Sequence, residues 1–119
     1  MKTEIVITNN FSKEAKKLLK KYKSLKSELR ELNEELLRNP KLGTPIGKNS
    51  YKIRLAVKSK GKGKSGGLRI ITHLDINVHF DELTNTIFLL SVYDKSEADS
   101  ISKNEFSRLI LKLKINKRK

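Results

Sequence analysis

The sequence predicts an α+β fold: an antiparallel sheet of about four strands with an N-terminal helical hairpin and a C-terminal helix, in the order β-α-α-β-β-β-α. Apolar and polar residues alternate with the period of a strand in two runs, residues 50–58 and 68–78. In residues 11–36 and 106–113 the apolar residues instead recur every three or four positions, which is the period of a helix. A chain of 119 residues can bury one core but not two, so residues 1–119 are expected to form a single domain.

The N-terminal third is predicted to be a strand followed by two helices. The apolar face of the helices comprises Phe11, Ala15, Leu18, Leu19, Tyr22, Leu25, Leu29, Leu32 and Leu36. Residues 3–7 form the strand, and Ser12 and Ser24 are candidate helix N-caps, which places a break near Lys23. One long helix and a coiled-coil dimer are the alternatives. Charged residues on the other face, such as Glu28, are expected in solvent-exposed pairs.

A basic hairpin is predicted in the middle of the chain, where two alternating runs flank a loop, residues 59–67, that has no large apolar side chain. Successive strand residues point to opposite faces, so Lys52 and Arg54 share one face, and Arg69 joins them if the two runs pair. Ile71 is the one large apolar residue of that face. The apolar face takes Tyr51, Ile53, Leu55, Val57, Leu68, Ile70, Thr72, Leu74, Ile76 and Val78.

The remaining segments complete the predicted fold. Residues 41–50, which contain two glycines and a proline, read as a connecting loop, and residues 80–85 as a turn. Residues 86–93 are apolar on both faces, which is typical of a central strand. Ser102 and Glu105 have the spacing of a capping box, so a final helix is predicted from Lys103 to about residue 113. The helices are expected to pack mainly on one face of the sheet.

Charge is the strongest signal in the composition. The chain has 27 Lys and Arg against 13 Asp and Glu, a formal net charge of +14. No acidic residue occurs between Glu35 and Asp75, whereas that interval contains Arg38, Lys41, Lys48, Lys52, Arg54, Lys58, Lys60, Lys62, Lys64 and Arg69. A one-sided field indicates a polyanionic partner, and a phosphate backbone is the obvious candidate. The alternatives are a basic surface that only maintains solubility and, less favoured, a membrane-surface helix.

Several classes of protein are excluded by what the sequence lacks. Cysteine is absent, which excludes disulfides, thiolate catalysis and cysteine-ligated zinc. His73 and His79 without clustered carboxylates make a poor metal site, and the glycine-rich loop lacks the ending of a Walker motif. No apolar run suggests a signal peptide or a bilayer-spanning helix. We therefore expect a soluble cytoplasmic protein with no metal, no other cofactor and no membrane partner.

Five short motifs follow one another along the chain: Tyr51-Lys52-Ile53-Arg54-Leu55, the glycine-ended basic loop, Leu68-Arg69-Ile70-Ile71, Leu89-Leu90-Ser91-Val92-Tyr93-Asp94-Lys95 and a short final helix. Taken together and in this order, they resemble the RelE/ParE toxin superfamily. The basic loop and the Tyr93-Asp94-Lys95-Ser96-Glu97 run are most similar to the HigB-like branch. The similarity covers nearly the whole chain in the order of its elements.

The resemblance implies the toxin of a bacterial type II toxin–antitoxin system, a ribosome-dependent endoribonuclease (mRNA interferase) that inhibits translation by cleaving mRNA in the ribosomal A site. Family members of this type need no metal. The 2′-OH of the RNA attacks the adjacent phosphate and leaves a 2′,3′-cyclic phosphate and a free 5′-OH. A cognate antitoxin, of the helix-turn-helix type, is implied as the second partner.

The resemblance assigns the catalytic positions to Lys52, Arg54, Arg69 and Lys95. Arginine keeps its charge at any working pH, so Arg54 and Arg69 suit a phosphate clamp better than a base. Lys52 and Lys95 are the candidates for the proton acceptor, provided that neighbouring cations favour the neutral amine.

Further residues are predicted to bind RNA. Lys58, Lys60, Lys62 and Lys64 form a basic loop suited to an electrostatic clamp, and His73 is a candidate contact at the edge of the substrate. The tyrosine that stacks on the substrate base in RelE aligns with Ile101. Tyr93 is the candidate replacement, with a core position as its alternative.

Two other functions stay open from the sequence. One is a gyrase-poisoning toxin of the same fold, which need not keep the constellation of Lys52, Arg54, Arg69 and Lys95. The other is a non-catalytic basic protein that binds RNA or the ribosome. Loss of an RNA-cleaving activity in an Arg69→Ala variant separates the endoribonuclease from both.

Overall fold

The computed structural model describes residues 2–61, 63, 66–98 and 100–117, with only the backbone described at positions 79 and 115–117. Along these residues the elements are β1 (Lys2–Ile7), α1 (Asn9–Lys21), α2 (Leu25–Arg38), β2 (Thr44–Gly47), β3 (Ser50–Leu55), a 3-10 turn at Lys58–Lys60, β4 (Leu68–His79), β5 (Glu82–Asp94) and α3 (Lys103–Lys117). The predicted α+β class is confirmed.

The sheet is mixed, so the prediction of a purely antiparallel sheet of about four strands is wrong. The strand order is β1-β5-β4-β3-β2, and β1 runs parallel to β5 while the other neighbours are antiparallel. No short turn joins β1 to β5, so nothing in the local sequence sets their relative direction. The central position predicted for residues 86–93 is confirmed, because β5 lies between β1 and β4.

A fifth strand lies in the segment that was predicted to be a connecting loop. β2 pairs with β3 through a two-residue turn at Lys48 and Asn49, whose φ angles are 52° and 57°. Two successive residues with positive φ match the twist of a tight hairpin. β5 is also longer than predicted, because the turn that precedes it contains only Phe80 and Asp81 and the strand begins at Glu82.

Side-chain caps mark the starts of α1 and α3, whereas Ser24, a candidate N-cap, precedes α2 without making a side-chain capping hydrogen bond. α1 begins earlier than predicted, because Thr8 rather than Ser12 is its N-cap and the Thr8 hydroxyl accepts the Phe11 N–H at 3.2 Å. The predicted break near Lys23 is confirmed. At α3 the Glu105 N–H donates to the Ser102 hydroxyl at 3.1 Å, as the capping-box spacing predicts, but the helix continues to residue 117. No helix within the described ranges combines the length and the apolar character that a membrane span requires.

The helices cover both faces of the sheet, contrary to the prediction that they pack mainly on one. α1 and α2 lie over the face that carries Leu68, Ile70 and Leu74. α3 lies over the opposite face, where Ile71 and Leu90 are buried against Leu109, Ile110 and Leu113. Ile71, the apolar exception of the basic face, is therefore part of a second small core.

Beyond the end of β1, side chains from the start of α1 form hydrogen bonds with the edge of β5. The Thr8 hydroxyl donates to the Leu89 carbonyl at 2.8 Å, and the Asn10 amide donates to the Leu90 carbonyl at 2.9 Å. The Glu14 carboxylate accepts the Ser91 hydroxyl at 2.8 Å and the Val92 N–H at 3.2 Å. Burial raises the pKa of Glu14, and these hydrogen bonds oppose that rise. The buried backbone groups at the edge of β5 that β1 does not pair are thus satisfied by side chains.

Candidate nucleic-acid interface

Two arginines face each other across the central hairpin. Arg54 of β3 is the register partner of Arg69 of β4, and Arg69 is in turn the register partner of Tyr93 of β5. Directly opposed residues have Cβ atoms about 4.5–5.5 Å apart and share a face. Lys52, two positions before Arg54, lies on the same face. The structure therefore brings together three of the four predicted catalytic residues.

These cations differ in their exposure. Arg54 is exposed and Lys52 is half-buried, whereas Arg69 is only 4% exposed. The Arg69 guanidinium donates to the Leu68 carbonyl at 3.2 Å through Nη1. A phosphate that binds this face would therefore contact Arg54 and Lys52 first. The buried Arg69 would add its positive charge without direct contact.

Tyr93 is packed into the fold beside Arg69. Its side chain lies against the small core beneath α3, next to Ile101 and Phe106. Its hydroxyl is buried without a hydrogen-bond partner among the described residues. Burial raises the pKa of Tyr93, and the positive charge of Arg69 opposes that rise. Tyr93 is half-buried, so part of its ring packs against this core and less of it can stack on a base.

The fourth predicted catalytic residue follows the end of β5. Lys95 is half-buried, and its backbone N–H donates to the Gly67 carbonyl at 3.2 Å, which ties it to the residue before β4. Gly67 has no room for a side chain, because a Cβ there would lie 2.0 Å from the Leu55 carbonyl oxygen. The absence of a Cβ therefore lets Gly67 pack directly against the backbone of Leu55.

Lys60, predicted to contact RNA, is instead committed to an internal ion pair. Its ammonium group pairs with Oδ1 of Asp94, and the two side chains are 8% and 0% exposed. The Tyr22 hydroxyl donates to Oδ2 of Asp94 at 2.5 Å, and the backbone and hydroxyl of Ser96 donate to Oδ1. Burial alone would raise the pKa of Asp94, but the bonds from Lys60, Tyr22 and Ser96 hold it well below its usual range.

The start of the basic loop is also fixed to α2. Glu28 is 7% exposed and accepts the Lys58 N–H at 2.7 Å, so its predicted role in a solvent-exposed pair is wrong. The Ser24 hydroxyl donates to Glu28 at 2.9 Å and accepts the Ser59 N–H at 3.0 Å. The Lys58 side chain is exposed beside this anchor and can meet an anionic partner.

The other predicted RNA contacts are distributed unevenly. His73 is half-buried, its Nδ1 lies 3.0 Å from the Ser50 hydroxyl, and its ring centroid is 6.3 Å from that of Phe88. It lies two strand positions beyond Ile71, away from the arginine row. Lys62 and Lys64 lie outside the described residues. Among the residues that are described, no group of three His, Asp or Glu side chains is placed to hold a metal ion.

A groove of about 450 Å³ runs along the outer edge of β3, where β2 has ended. Lys52, Arg54 and Lys58 line one part of it, and Glu28, Glu31 and Glu35 of α2 line another. Carboxylates repel a phosphate at this range, so a nucleic-acid backbone is favoured on the sheet face and disfavoured in the groove.

Sequence reasoning missed the buried acids that organise the loop. One signal was present for Asp94: it has the same strand parity as Val92, which is 1% exposed, so alternation alone points it into the core. Glu28 gave a comparable signal, because Leu25 three residues before it and Leu32 four residues after it are buried on the same face of α2.

No protein-family model matches this sequence, and no solved structure matches it significantly. The ligands that this protein can bind must therefore be inferred from its own residues. These are the exposed Arg54, the half-buried Lys52 on the same strand, and the buried Arg69 opposite Arg54 on the neighbouring strand.

Proposed function

We propose that this protein is the toxin of a bacterial type II toxin–antitoxin system, of the RelE/ParE superfamily and similar to its HigB-like branch, and that it cleaves mRNA on the ribosome in the cytoplasm. The observation that carries the proposal is the register pair of Arg54 and Arg69, with Lys52 on the same face. Guanidinium groups brought together on one face of a sheet are suited to bind a phosphate through charge-assisted hydrogen bonds.

The reaction demands little beyond positioned cations and proton transfer. Attack of the 2′-oxygen on the adjacent phosphorus forms one P–O bond and breaks the bond to the 5′-oxygen. The 2′-hydroxyl loses its proton, and the 5′-oxygen gains one as it leaves. Negative charge builds on the non-bridging oxygens in between, where guanidinium groups stabilise it most effectively.

Each residue then has a distinct part in this proposal. Arg54 is exposed and binds the scissile phosphate, and Lys52 or Lys95 exchanges the proton. Arg69 is 4% exposed, so it stabilises the developing charge electrostatically and has little surface for direct contact with the substrate. Lys58 binds the flanking RNA backbone.

A non-catalytic protein that binds RNA or the ribosome is the second candidate. The 4% exposure of Arg69 favours it, because that guanidinium has little surface with which to touch a substrate. A protein of this kind would bind RNA in a salt-dependent manner through its basic face. Neither the wild-type chain nor its variants would cleave RNA.

Cleavage on programmed ribosomes tests the proposal. Wild-type protein is added to ribosomes that hold a defined codon in the A site, and primer extension locates the cut. Arg54→Ala is expected to reduce cleavage at least about 100-fold, the scale of losing one charge-stabilising group. Because Arg54 is exposed, this substitution should leave the fold intact, which circular dichroism checks.

The matched control is Arg30→Ala, which removes an exposed arginine from α2 and should cleave like wild type. Arg69→Lys keeps the buried charge and tests whether a guanidinium is needed there. Wild-type protein that binds programmed ribosomes without cutting the message would leave only the non-catalytic candidate.

The proposed partner that restrains the toxin is an antitoxin of the helix-turn-helix type. Its support is the resemblance together with the +14 charge, since a strongly basic face invites an acidic inhibitor. Co-expression with the product of the adjacent gene should restore growth to cells that produce the protein, and the two chains should purify together.

A further inference from the structure

The β4–β5 hairpin projects beyond the rest of the sheet. β3 follows β4 only as far as the register pair of Ser50 with His73, and the Leu74 N–H then donates to the Asn49 carbonyl at 2.8 Å. β5 accompanies β4 to its end at residue 79. Beyond Leu74, the outer edge of β4 therefore has no neighbouring strand among the described residues.

The projecting part is apolar and exposed. Ile76 is 53% exposed and Val78 is 67% exposed, and Leu83, the register partner of Val78, is 41% exposed. Phe80 is 91% exposed and adopts a φ of 50° in the turn. Positive φ is unfavourable for a bulky residue, and an exposed aromatic gains nothing from burial to offset it. Such a tip is typical of a surface that another chain covers.

This strand edge also lacks the usual protection. Edge strands are commonly blocked by lysine, proline or a bulge, whereas residues 76–78 read Ile-Asn-Val and the register of β4 with β5 is regular from residue 72 to residue 79. A regular, uncharged edge is a template for backbone pairing.

The charges of the β4–β5 hairpin distinguish between two kinds of partner that could cover it, a nucleic acid and a second copy of this chain. Residues 70–94 contain no Lys or Arg, and their charged residues are Asp75, Asp81, Glu82 and Asp94. Acidic groups repel a phosphate backbone, which disfavours nucleic acid here. Two copies of a chain with a net charge of +14 repel each other over most of their surface. Contact through this hairpin would bring no lysine or arginine of residues 70–94 of one copy against those of the other.

We propose that the β4 edge pairs antiparallel with the same edge of a second copy, in a register centred on Asn77. Successive strand residues direct their backbone groups to opposite edges, and the Leu74 N–H points toward β3. The backbone groups of Ile76 and Val78 therefore point outward as well. In this register Ile76 lies opposite Val78 of the second copy, both pairs exchange hydrogen bonds, and four aliphatic side chains meet on one face.

The neighbouring registers are less favourable. A register centred on Ile76 would oppose Val78 to Leu74, whose N–H is already bound to Asn49. A register centred on Val78 would oppose Ile76 to Phe80, whose φ of 50° is not that of a strand. The contact is small, so the dimer is expected to be weak and to form at high micromolar concentration.

Disulfide trapping tests the register, because the chain contains no cysteine. In Asn77→Cys the two introduced residues form a non-hydrogen-bonded pair with Cα atoms about 4.5 Å apart, which suits a disulfide. In Asp75→Cys they lie about 14 Å apart, which does not. Both variants lose the same Asn77–Asp75 hydrogen bond of 3.1 Å, so each is a control for the other. Asn77→Cys is expected to give at least tenfold more covalent dimer, and equal yields would overturn the proposal.

Sedimentation velocity of the full wild-type chain, over a range of concentration into the high micromolar, tests the association itself. A concentration-dependent dimer is expected, and Ile76→Lys should weaken it at least tenfold. Leu37→Lys, which alters a residue of α2 that is 48% exposed, should sediment like wild type. A wild-type chain that remains monomeric throughout would overturn the proposal. The proposal is independent of the proposed function, since an inactive protein can dimerise and an active one can be monomeric.

Discussion

The Tyr22 hydroxyl, at the end of α1, donates a 2.5 Å hydrogen bond to Asp94, the last residue of β5. Lys60 binds the other oxygen of the same carboxylate, and its ammonium lies 5.8 Å from the centroid of the Tyr22 ring. One buried carboxylate thus joins a helix, a strand and the start of the basic loop. Lys95 follows Asp94 directly, so this contact also fixes the backbone from which the Lys95 side chain extends.

Replacing Asp94 by Asn is expected to lower the free energy of unfolding by about 3–5 kcal/mol, because it leaves the buried Lys60 ammonium without its counter-charge. Urea denaturation monitored by circular dichroism measures the loss. The double variant Asp94→Asn, Lys60→Met removes both charges and should recover a large part of it. A double variant no more stable than Asp94→Asn would show that the ion pair is not the cause.

Stability should also decline in alkali. The hydrogen bond to Asp94, together with burial, raises the pKa of Tyr22 to about 12 from an ordinary value near 10. The unfolded chain then ionises before the folded one, so the stability that this shift supplies is complete below pH 10 and is lost as the pH rises toward 12. The expected loss is on the order of 2 kcal/mol.

The Tyr22→Phe variant supplies the control for that experiment. It has no phenol to titrate at this position, so its unfolding free energy should change less between pH 9.5 and pH 12 than that of wild type. Chemical denaturation at fixed intervals of pH gives both curves. Parallel curves for the two proteins would contradict the assignment.

Removal of one exposed cation should weaken RNA binding and make it less dependent on salt concentration. Arg54→Gln is expected to reduce the slope of log K against log salt for a single-stranded RNA by about 0.7, the contribution of one released counterion. Fluorescence anisotropy at several salt concentrations measures the slope. Arg30→Gln, on the exposed face of α2, should leave it unchanged. Equal effects of the two variants would indicate a diffuse charge effect and no defined site.

A buried hydroxyl in the centre of the sheet gives a test of stability alone. Thr72 is fully buried, and its hydroxyl has no hydrogen-bond partner among the described residues. Thr72→Val is therefore expected to raise the free energy of unfolding by about 1 kcal/mol. Thr8→Val, which removes a helix cap and a 2.8 Å hydrogen bond, should instead lower it by about 1–2 kcal/mol. Thermal or urea unfolding of the pair distinguishes the two cases.

Part of the candidate site followed from the sequence. Alternation along β3 and β4 placed Lys52, Arg54 and Arg69 on one face, and the register confirms it. Alternation carries no information on what covers that face. The burial of Arg69, which is 4% exposed, therefore emerged only from the tertiary structure.

Local periodicity determined the α+β class, the helical hairpin, the central position of β5 and the capped start of α3, because each depends on neighbours only a few residues apart. Tertiary structure alone decided the parallel direction of β1, the pairing of β2, the placement of α3 on the second face and the burial of Glu28 and Asp94. These features join segments distant in sequence. A direction of pairing or a buried charge is set by the partner that satisfies it, and that partner is not adjacent in the chain.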